Sequence, residues 1–208
     1  MNVAANKLMM LTDKHFSGWA GVTTLSLYEN NLVRMGSLAP LVALEELRIN
    51  GNNLEEMPAL SADGHPSLSV LEIHKNRIAS IPDDYFKATP ALARLSIWGN
   101  QLAALPPSLC TCASLVGVQA HENALASLPT EAWPETLETL FVQQNKPLTS
   151  LPPALKDCSK LKRINFDKLA LDDASAEIAD AIKALVLEQS DGIYWAPSGE
   201  KSMGKPAA

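Results

Sequence analysis

Apolar and polar residues alternate along the chain in short stretches that recur at a nearly constant interval. One copy reads LARLSIWGNQL (92–102), and equivalent copies begin at residues 22, 44, 68, 115, 137 and 161. Alternation with a period of two predicts a short β-strand whose apolar side chains share one face. Because the copies follow one another in tandem, we expect their strands to stack as a parallel sheet, about 4.8 Å apart.

An asparagine follows each of the first six alternating stretches, at a spacing of 22 to 24 residues. The chain turns sharply after each strand, and an asparagine side chain offers donors and an acceptor for the backbone groups buried there. A half copy at residues 6–25 aligns with residues 76–95 and adds one further asparagine. The predicted asparagine ladder consists of Asn6, Asn30, Asn52, Asn76, Asn100, Asn123 and Asn145.

Prolines mark the segments that lead from one strand to the next. Five of these segments carry a proline directly after an apolar residue, at Pro58, Pro82, Pro106, Pro129 and Pro152. Proline lacks a backbone donor and limits helix formation. Short helical turns or extended pieces are therefore expected on the outer side of the sheet, and such thin segments favour a shallow curve.

The repeat L-x-x-L-x-L-x-x-N-x-L resembles the leucine-rich repeat over almost the whole chain. The L-P-x-x-L return segments are similar to those of intracellular leucine-rich repeat proteins, including relatives of Ras-group regulators and repeats attached to some kinases. This resemblance implies an α/β solenoid: an arc with a parallel sheet on its concave face, short 3-10 or extended convex segments and a C-terminal capping helix. Together with the lack of a convincing signal peptide, it also implies an intracellular, cytoplasmic location.

The repeat array is predicted to span residues 1–171, as a half repeat plus seven copies. Leu169 stands where asparagine would continue the ladder, as expected of a terminal repeat. At the other end the chain begins inside a repeat, either as a piece of a longer array or as a natural start. The first strand then leaves an open sheet edge, through which two copies could pair.

A C-terminal cap is predicted over residues 172–196, with a helix at about 173–189. The apolar residues Ile178, Ile182 and Leu185 fall on one face of this helix. We interpret the helix as a cover for the apolar end of the last repeat, and a partner-binding amphipathic element is the alternative. Residues 197–208 are small and polar, which predicts a flexible tail.

Composition and charge narrow the range of functions. The formal net charge of −6 disfavours nonspecific nucleic-acid binding, which needs a basic surface. No run of about 18 apolar residues occurs, so no membrane span is predicted. Three cysteines, Cys110, Cys112 and Cys158, are too few and too irregular for a disulfide framework. We expect them to be small buried apolar residues.

The concave surface is where a partner is expected to bind. Two columns of strand residues, one between the strand leucines and one two positions before each asparagine, lie side by side in a parallel, in-register sheet. Trp98 stands in the middle of its column, between His74 and His121. The predicted partner-binding residues are Tyr28, Arg48, Glu72, His74, Arg94, Trp98, Gln119, His121 and Phe141.

Two interpretations of Trp98 are open. An exposed aromatic among polar neighbours is typical of an interface anchor, whose removal weakens binding with little effect on thermal stability. The alternative is that the ring packs flat over neighbours such as Arg94 and stabilises the sheet. Tyr28 and Phe141 are expected to extend an aromatic track on the same face.

The function predicted from these patterns is a non-catalytic scaffold for protein–protein interaction. The alternative is the sensing or docking portion of a larger signalling enzyme, a kinase or ubiquitin ligase, whose catalytic domain is absent from this chain. No catalytic residues, metal site or cofactor are predicted. His74 and His121 are about 10 Å apart in the backbone, without a third ligand. GEKSMGK (199–205) has the spacing of a phosphate-binding loop, but proline follows it instead of serine or threonine.

Overall fold

The alternating stretches fold as short strands. The computed structural model describes residues 1–167, 177–184 and 195–198. In chain order the strands are β1 (Met10–Leu11), β2 (Thr24–Ser26), β3 (Arg34–Met35), β4 (Glu46–Arg48), β5 (Val70–Glu72), β6 (Arg94–Ser96), β7 (Gly117–Gln119), β8 (Thr139–Phe141), β9 (Arg163–Asp167) and β10 (Trp195–Ser198).

Eight of these strands form one parallel sheet in the order β10-β9-β8-β7-β6-β5-β4-β2, while β1 and β3 pair separately. Each strand pairs in register with the equivalent residues of the next copy, so Leu47 faces Leu71 and Leu71 faces Leu95. This order confirms the predicted solenoid with its parallel sheet. The first residues of the chain extend the sheet beyond β2, because the backbones of Met1 and Val3 bond to Ser26. Pairing of two copies through this edge stays a prediction.

The core lies behind the sheet, where the inward-facing strand residues of all copies are buried. Four 3-10 helices occupy the return segments, at Asp13–Phe16, Tyr85–Ala88, Pro107–Thr111 and Pro153–Asp157. Two of them begin directly after a proline and have another proline as their first residue. Proline is favourable there because the first backbone N–H groups of a helix have no partner within the helix. The thin convex segments agree with the predicted fold class.

The asparagines bond each turn to the turn before it. Asn52 accepts the backbone N–H of Leu32 at 3.0 Å through Oδ1 and donates from Nδ2 to the carbonyls of Leu27 and Ile49, both at 3.0 Å. Equivalent bonds occur at Asn30, Asn76, Asn100, Asn123 and Asn145. The residue before each of these asparagines has a positive φ, which turns the chain away from the sheet.

Asn6 differs from the other members of the predicted ladder. It is exposed, and its Nδ2 donates only to the carbonyls of Val3 and Ala4 in its own turn. The C-terminal part is described at two places. Residues 177–184 are helical, with Ile178 and Ile182 buried. The rest of the predicted helix, with Leu185 and the ladder-ending Leu169, lies outside the described residues.

Strand β10 spans the predicted boundary between the cap, which was expected to end at residue 196, and the flexible tail, which was expected to begin at residue 197. It pairs with β9 in parallel, Trp195 facing Ile164 and Ser198 facing Asp167, and so continues the sheet across that boundary. Across the part of the chain that the structure describes, no helix has the length and hydropathy to cross a bilayer.

Candidate functional site

Three columns of side chains cover the concave face of the sheet. The first column consists of Thr24, Glu46, Val70, Arg94, Gly117, Thr139 and Arg163. The second consists of Ser26, Arg48, Glu72, Ser96, Gln119, Phe141 and Asn165. The third column, two residues before each asparagine, includes Tyr28, Asn50, His74, Trp98, His121 and Gln143.

Three rings of the third column form a continuous stack. Trp98 lies parallel to His74, with ring centroids 4.7 Å apart and 10° between the planes. It lies equally parallel to His121, at 5.1 Å and 9°. Both faces of the half-buried indole are therefore covered by imidazoles, and the ring packs flat against histidines rather than over Arg94. We call this arrangement the ring stack.

Burial disfavours the protonated form of both imidazoles of the ring stack. The pKa of His74 is lowered from 6.5 to about 4, mainly by burial and to a smaller extent by the charges of Lys75 and His121. Burial also lowers the pKa of His121, opposed by Glu122. His74 is oriented by a hydrogen bond of 3.0 Å between its Nδ1 and the Ser96 hydroxyl.

A cation stands beside the ring stack. The Lys75 ammonium lies 4.9 Å from a ring centroid of Trp98, within the range of a cation–π contact. His121 Nδ1 is buried and has no hydrogen-bond partner among the described residues. The stack therefore combines ring packing with polar atoms at its border.

Charged side chains of the first and second columns are only partly paired. Arg48 bonds Glu46 at 2.8 Å and Glu72 at 3.5 Å, the latter being the cross-strand neighbour. Arg163 donates from Nε to the Thr139 hydroxyl at 3.2 Å. Arg94 is exposed, and no ion pair links it to a described residue.

A hollow of about 420 Å³ lies on the concave face, between the charged side chains and the ring stack. Its walls come from β4 to β9, and Arg94, Trp98 and Arg163 are among them. Gly117 lies on its floor and contributes no side chain. We call this space the central hollow.

The predicted partner-binding residues separate into two groups. Six of them line the central hollow, namely Arg48, Glu72, His74, Arg94, Trp98 and Gln119. His121 joins through the ring stack. Tyr28 and Phe141 lie on the same face, but neither has a ring contact with the stack among the described residues. The aromatic track is thus limited to three rings.

Sequence reasoning missed most of the first column. The first-column residues that line the central hollow but were not predicted are Glu46, Val70, Gly117, Thr139 and Arg163, and Glu138 next to the column also lines it. The signal was present in the repeat, since the residue directly before the central strand leucine recurs with the same period. A glycine at that position carries no chemistry of its own, and only the register shows that it leaves a space.

Metal-ligating side chains do not gather within the described ranges, where no three histidine, cysteine or acidic residues could hold one ion. The indole of Trp98 separates His74 from His121. The three cysteines are free thiols, two of them buried and Cys110 half-buried. Burial raises the pKa of each thiol, which disfavours the reactive thiolate.

The chain is similar in sequence and in fold to known repeat proteins. The family model described as leucine rich repeat matches residues 1–54. No curated protein sequence matches the chain at a comparable level. Among solved structures, a leucine-rich repeat protein of Leptospira interrogans is similar with a TM-score of 0.67 and 22% identity, covering 90% of this chain and 53% of that one.

Two further solved structures share the fold. One is a chain of the octameric complex of Latrophilin 3, Unc5D and the leucine-rich repeat part of FLRT2, with a TM-score of 0.66, 22% identity and coverage of 86% of this chain and 57% of that one. The other is YopM from Yersinia enterocolitica, with a TM-score of 0.58, 24% identity and coverage of 80% and 36%. The chain spans little more than half the length of the first two.

Proposed function

Since the chain has the leucine-rich repeat fold, we propose that it is a non-catalytic scaffold that binds a protein partner on its concave face. The observation that carries this proposal is the half-buried Trp98 of the ring stack, placed beside the central hollow on a hydrogen-bonded sheet. We propose an intracellular location, because the L-P-x-x-L return segments resemble those of intracellular leucine-rich repeat proteins.

The concave face is rigid before a partner arrives. Each strand bonds to its neighbours along the sheet, and each asparagine of the repeated turns bonds to the turn before it. A partner that docks on such a surface does not lose free energy in ordering it. A solenoid also offers one extended surface built from many repeats, which suits a protein segment better than a small molecule.

The residues at the centre of the face are of the types that dominate protein interfaces. Tryptophan and arginine are enriched among residues whose truncation costs about 2 kcal/mol or more of binding free energy. Trp98 presents its ring edge, because both ring faces are covered, and Arg94, the first residue of β6, stands four residues before it in the chain. The pKa values of the two imidazoles beside Trp98 are lowered, which reduces the cost of burying these rings under a partner.

The similar structures include proteins found in assemblies. FLRT2 occurs together with Latrophilin 3 and Unc5D in an octameric complex. That complex supports protein binding as a role of this fold. The side chains on the concave face of this chain would determine which partner it binds.

Site-specific photo-crosslinking tests the proposal. Benzoylphenylalanine replaces either Gln119, which is exposed on the concave face, or Glu131, which is exposed on a return segment. The full chain is irradiated in an extract of the source cells. We expect a defined protein adduct from position 119 only, and its loss when Trp98→Ala is added. Adducts that are equal from both positions, or that do not depend on Trp98, would argue against the concave face.

A further inference from the structure

We infer that the central hollow receives an acidic side chain of the protein partner, which pairs with Arg94 while Arg163 adds attraction from the opposite wall. This inference rests on the proposed function and names the partner chemistry of the same face. It is carried by the unequal pairing of charges around the hollow.

Six ionised side chains of both signs line the hollow, and they are Glu46, Arg48, Glu72, Arg94, Glu138 and Arg163. Arg48 bonds the glutamates of β4 and β5, so that wall carries one surplus negative charge. Glu138 bonds Lys162 at 3.2 Å. The ion pairs of the described residues therefore leave the guanidinium groups of Arg94 and Arg163 without a carboxylate.

The two arginines lie on opposite sides of an empty position. Arg94 pairs in register with Gly117, Gly117 with Thr139, and Thr139 with Arg163. The two backbones are thus three strand spacings apart, about 14 Å. Because Gly117 has no side chain, the hollow extends over its position, and Arg94 and Arg163 both line that hollow. A side chain that enters there meets positive charge from both directions.

A carboxylate fits these arginines better than a large polyanion does. An arginine guanidinium donates two parallel hydrogen bonds to a carboxylate in a planar geometry. The glutamates of the other wall, the acidic pair Glu46 and Glu72 among them, repel an extended polyanion such as nucleic acid. The net charge of −6 acts in the same direction. One acidic residue on a protein segment can pair with Arg94 and be attracted by Arg163, and its single charge meets less of this repulsion than an extended polyanion does.

Titration of the full chain with a minimal probe tests the inference. The probe is N-acetyl-glutamate methylamide, and its uncharged counterpart is N-acetyl-glutamine methylamide. The Nε–Hε signals of the arginines are followed by nitrogen-15 NMR. We expect saturable shifts of the Arg94 and Arg163 signals with the glutamate probe and none with the glutamine probe. Equal shifts with both probes, or shifts spread evenly over all arginines, would overturn the inference.

Three variants sharpen the test. Arg94→Gln is expected to weaken probe binding about fivefold, as for an exposed ion pair. Arg77→Gln removes the same charge from an exposed position outside the hollow and should leave binding unchanged. Gly117→Val fills the space and should also reduce binding, since a Cβ there meets only Thr139 Cβ, at 3.9 Å, and the fold is kept. Unchanged binding in Gly117→Val would show that the arginines act outside the hollow.

The result is independent of the crosslinking experiment. Saturable probe binding without a concave adduct would keep the acidic subsite and reject the scaffold function. A concave adduct without probe binding would keep the scaffold function and reject the acidic subsite.

Discussion

The Trp98 indole lies parallel to the His74 imidazole at a centroid distance of 4.7 Å, although 24 residues separate them in the chain. The repeat length sets this contact, because residues one period apart stand on adjacent strands. A ring in such a position contributes to the stability of the sheet as well as to a binding surface.

Trp98→Ala should therefore lower the free energy of unfolding, by about 1–3 kcal/mol, since it removes two ring pairs. This differs from the small effect expected of a fully exposed anchor. Tyr28→Ala is the matched control, because Tyr28 occupies the same column without a ring contact among the described residues. Urea unfolding of both variants measures the difference. Equal stabilities would mean that the stack adds nothing.

Acidification should destabilise the fold through His74. Its pKa is lowered from 6.5 to about 4 in the folded protein, by burial first and by Lys75 and His121 after it. Between these values the unfolded chain binds a proton that the folded chain does not, so stability falls as the pH falls through that window. His74→Phe keeps a ring in the stack and should show a shallower loss in urea unfolding from pH 7 to pH 4. An imidazole that titrates near 6.5 by NMR would contradict this.

Asn100→Ala should cost about 1–3 kcal/mol of stability, because it removes the acceptor of the part-buried N–H of Ile78. It also removes one of the two asparagine donors from each of the carbonyls of Ile73 and Ile97, which keep their bonds to Asn76 and Asn123. Asn6→Ala is the control, with an effect within about 0.5 kcal/mol, since Asn6 is exposed and bonds only its own turn. Thermal melting of the two variants separates them, and similar melting temperatures would be inconsistent with the ladder.

Gly64→Ala should be more destabilising than Gly18→Ala. Both glycines have a positive φ, at 77° and 85°, which costs about 1–2 kcal/mol for alanine. A Cβ on Gly64 would also lie 2.7 Å from the backbone oxygen of Ala88, whereas none of the surrounding atoms lies within 4 Å of a Cβ on Gly18. The clash should add about 1–3 kcal/mol. Chemical denaturation of both variants gives the comparison, and a smaller loss in Gly64→Ala would refute the close approach.

The sheet could be predicted from the sequence because a single period fixes both the strand positions and their register. The same period brings Arg48 beside Glu72 and Trp98 between two histidines. Side-chain conformation could not be predicted in this way. Whether the indole packs over Arg94 or against imidazoles depends on rotamers that alternation of polar and apolar residues does not encode.

The central hollow was beyond sequence reasoning for a related reason. Its floor is Gly117, and a missing side chain is visible only when its neighbours on both strands are known. Strand β10 was also unexpected, since residues 195–198 lack the leucine repeat that marked the other strands. They extend the sheet by backbone pairing with β9 and need no repeat motif to do so.

Each asparagine of the repeated turns requires only a preceding turn of the same kind, so whole units can be exchanged without loss of the asparagine bonds. Excision of the 24 residues from Lys75 to Trp98 would preserve the frame and yet bring His74 directly against His121. Recombination of complete units can thus rewrite the order of recognition groups while the scaffold itself stays intact.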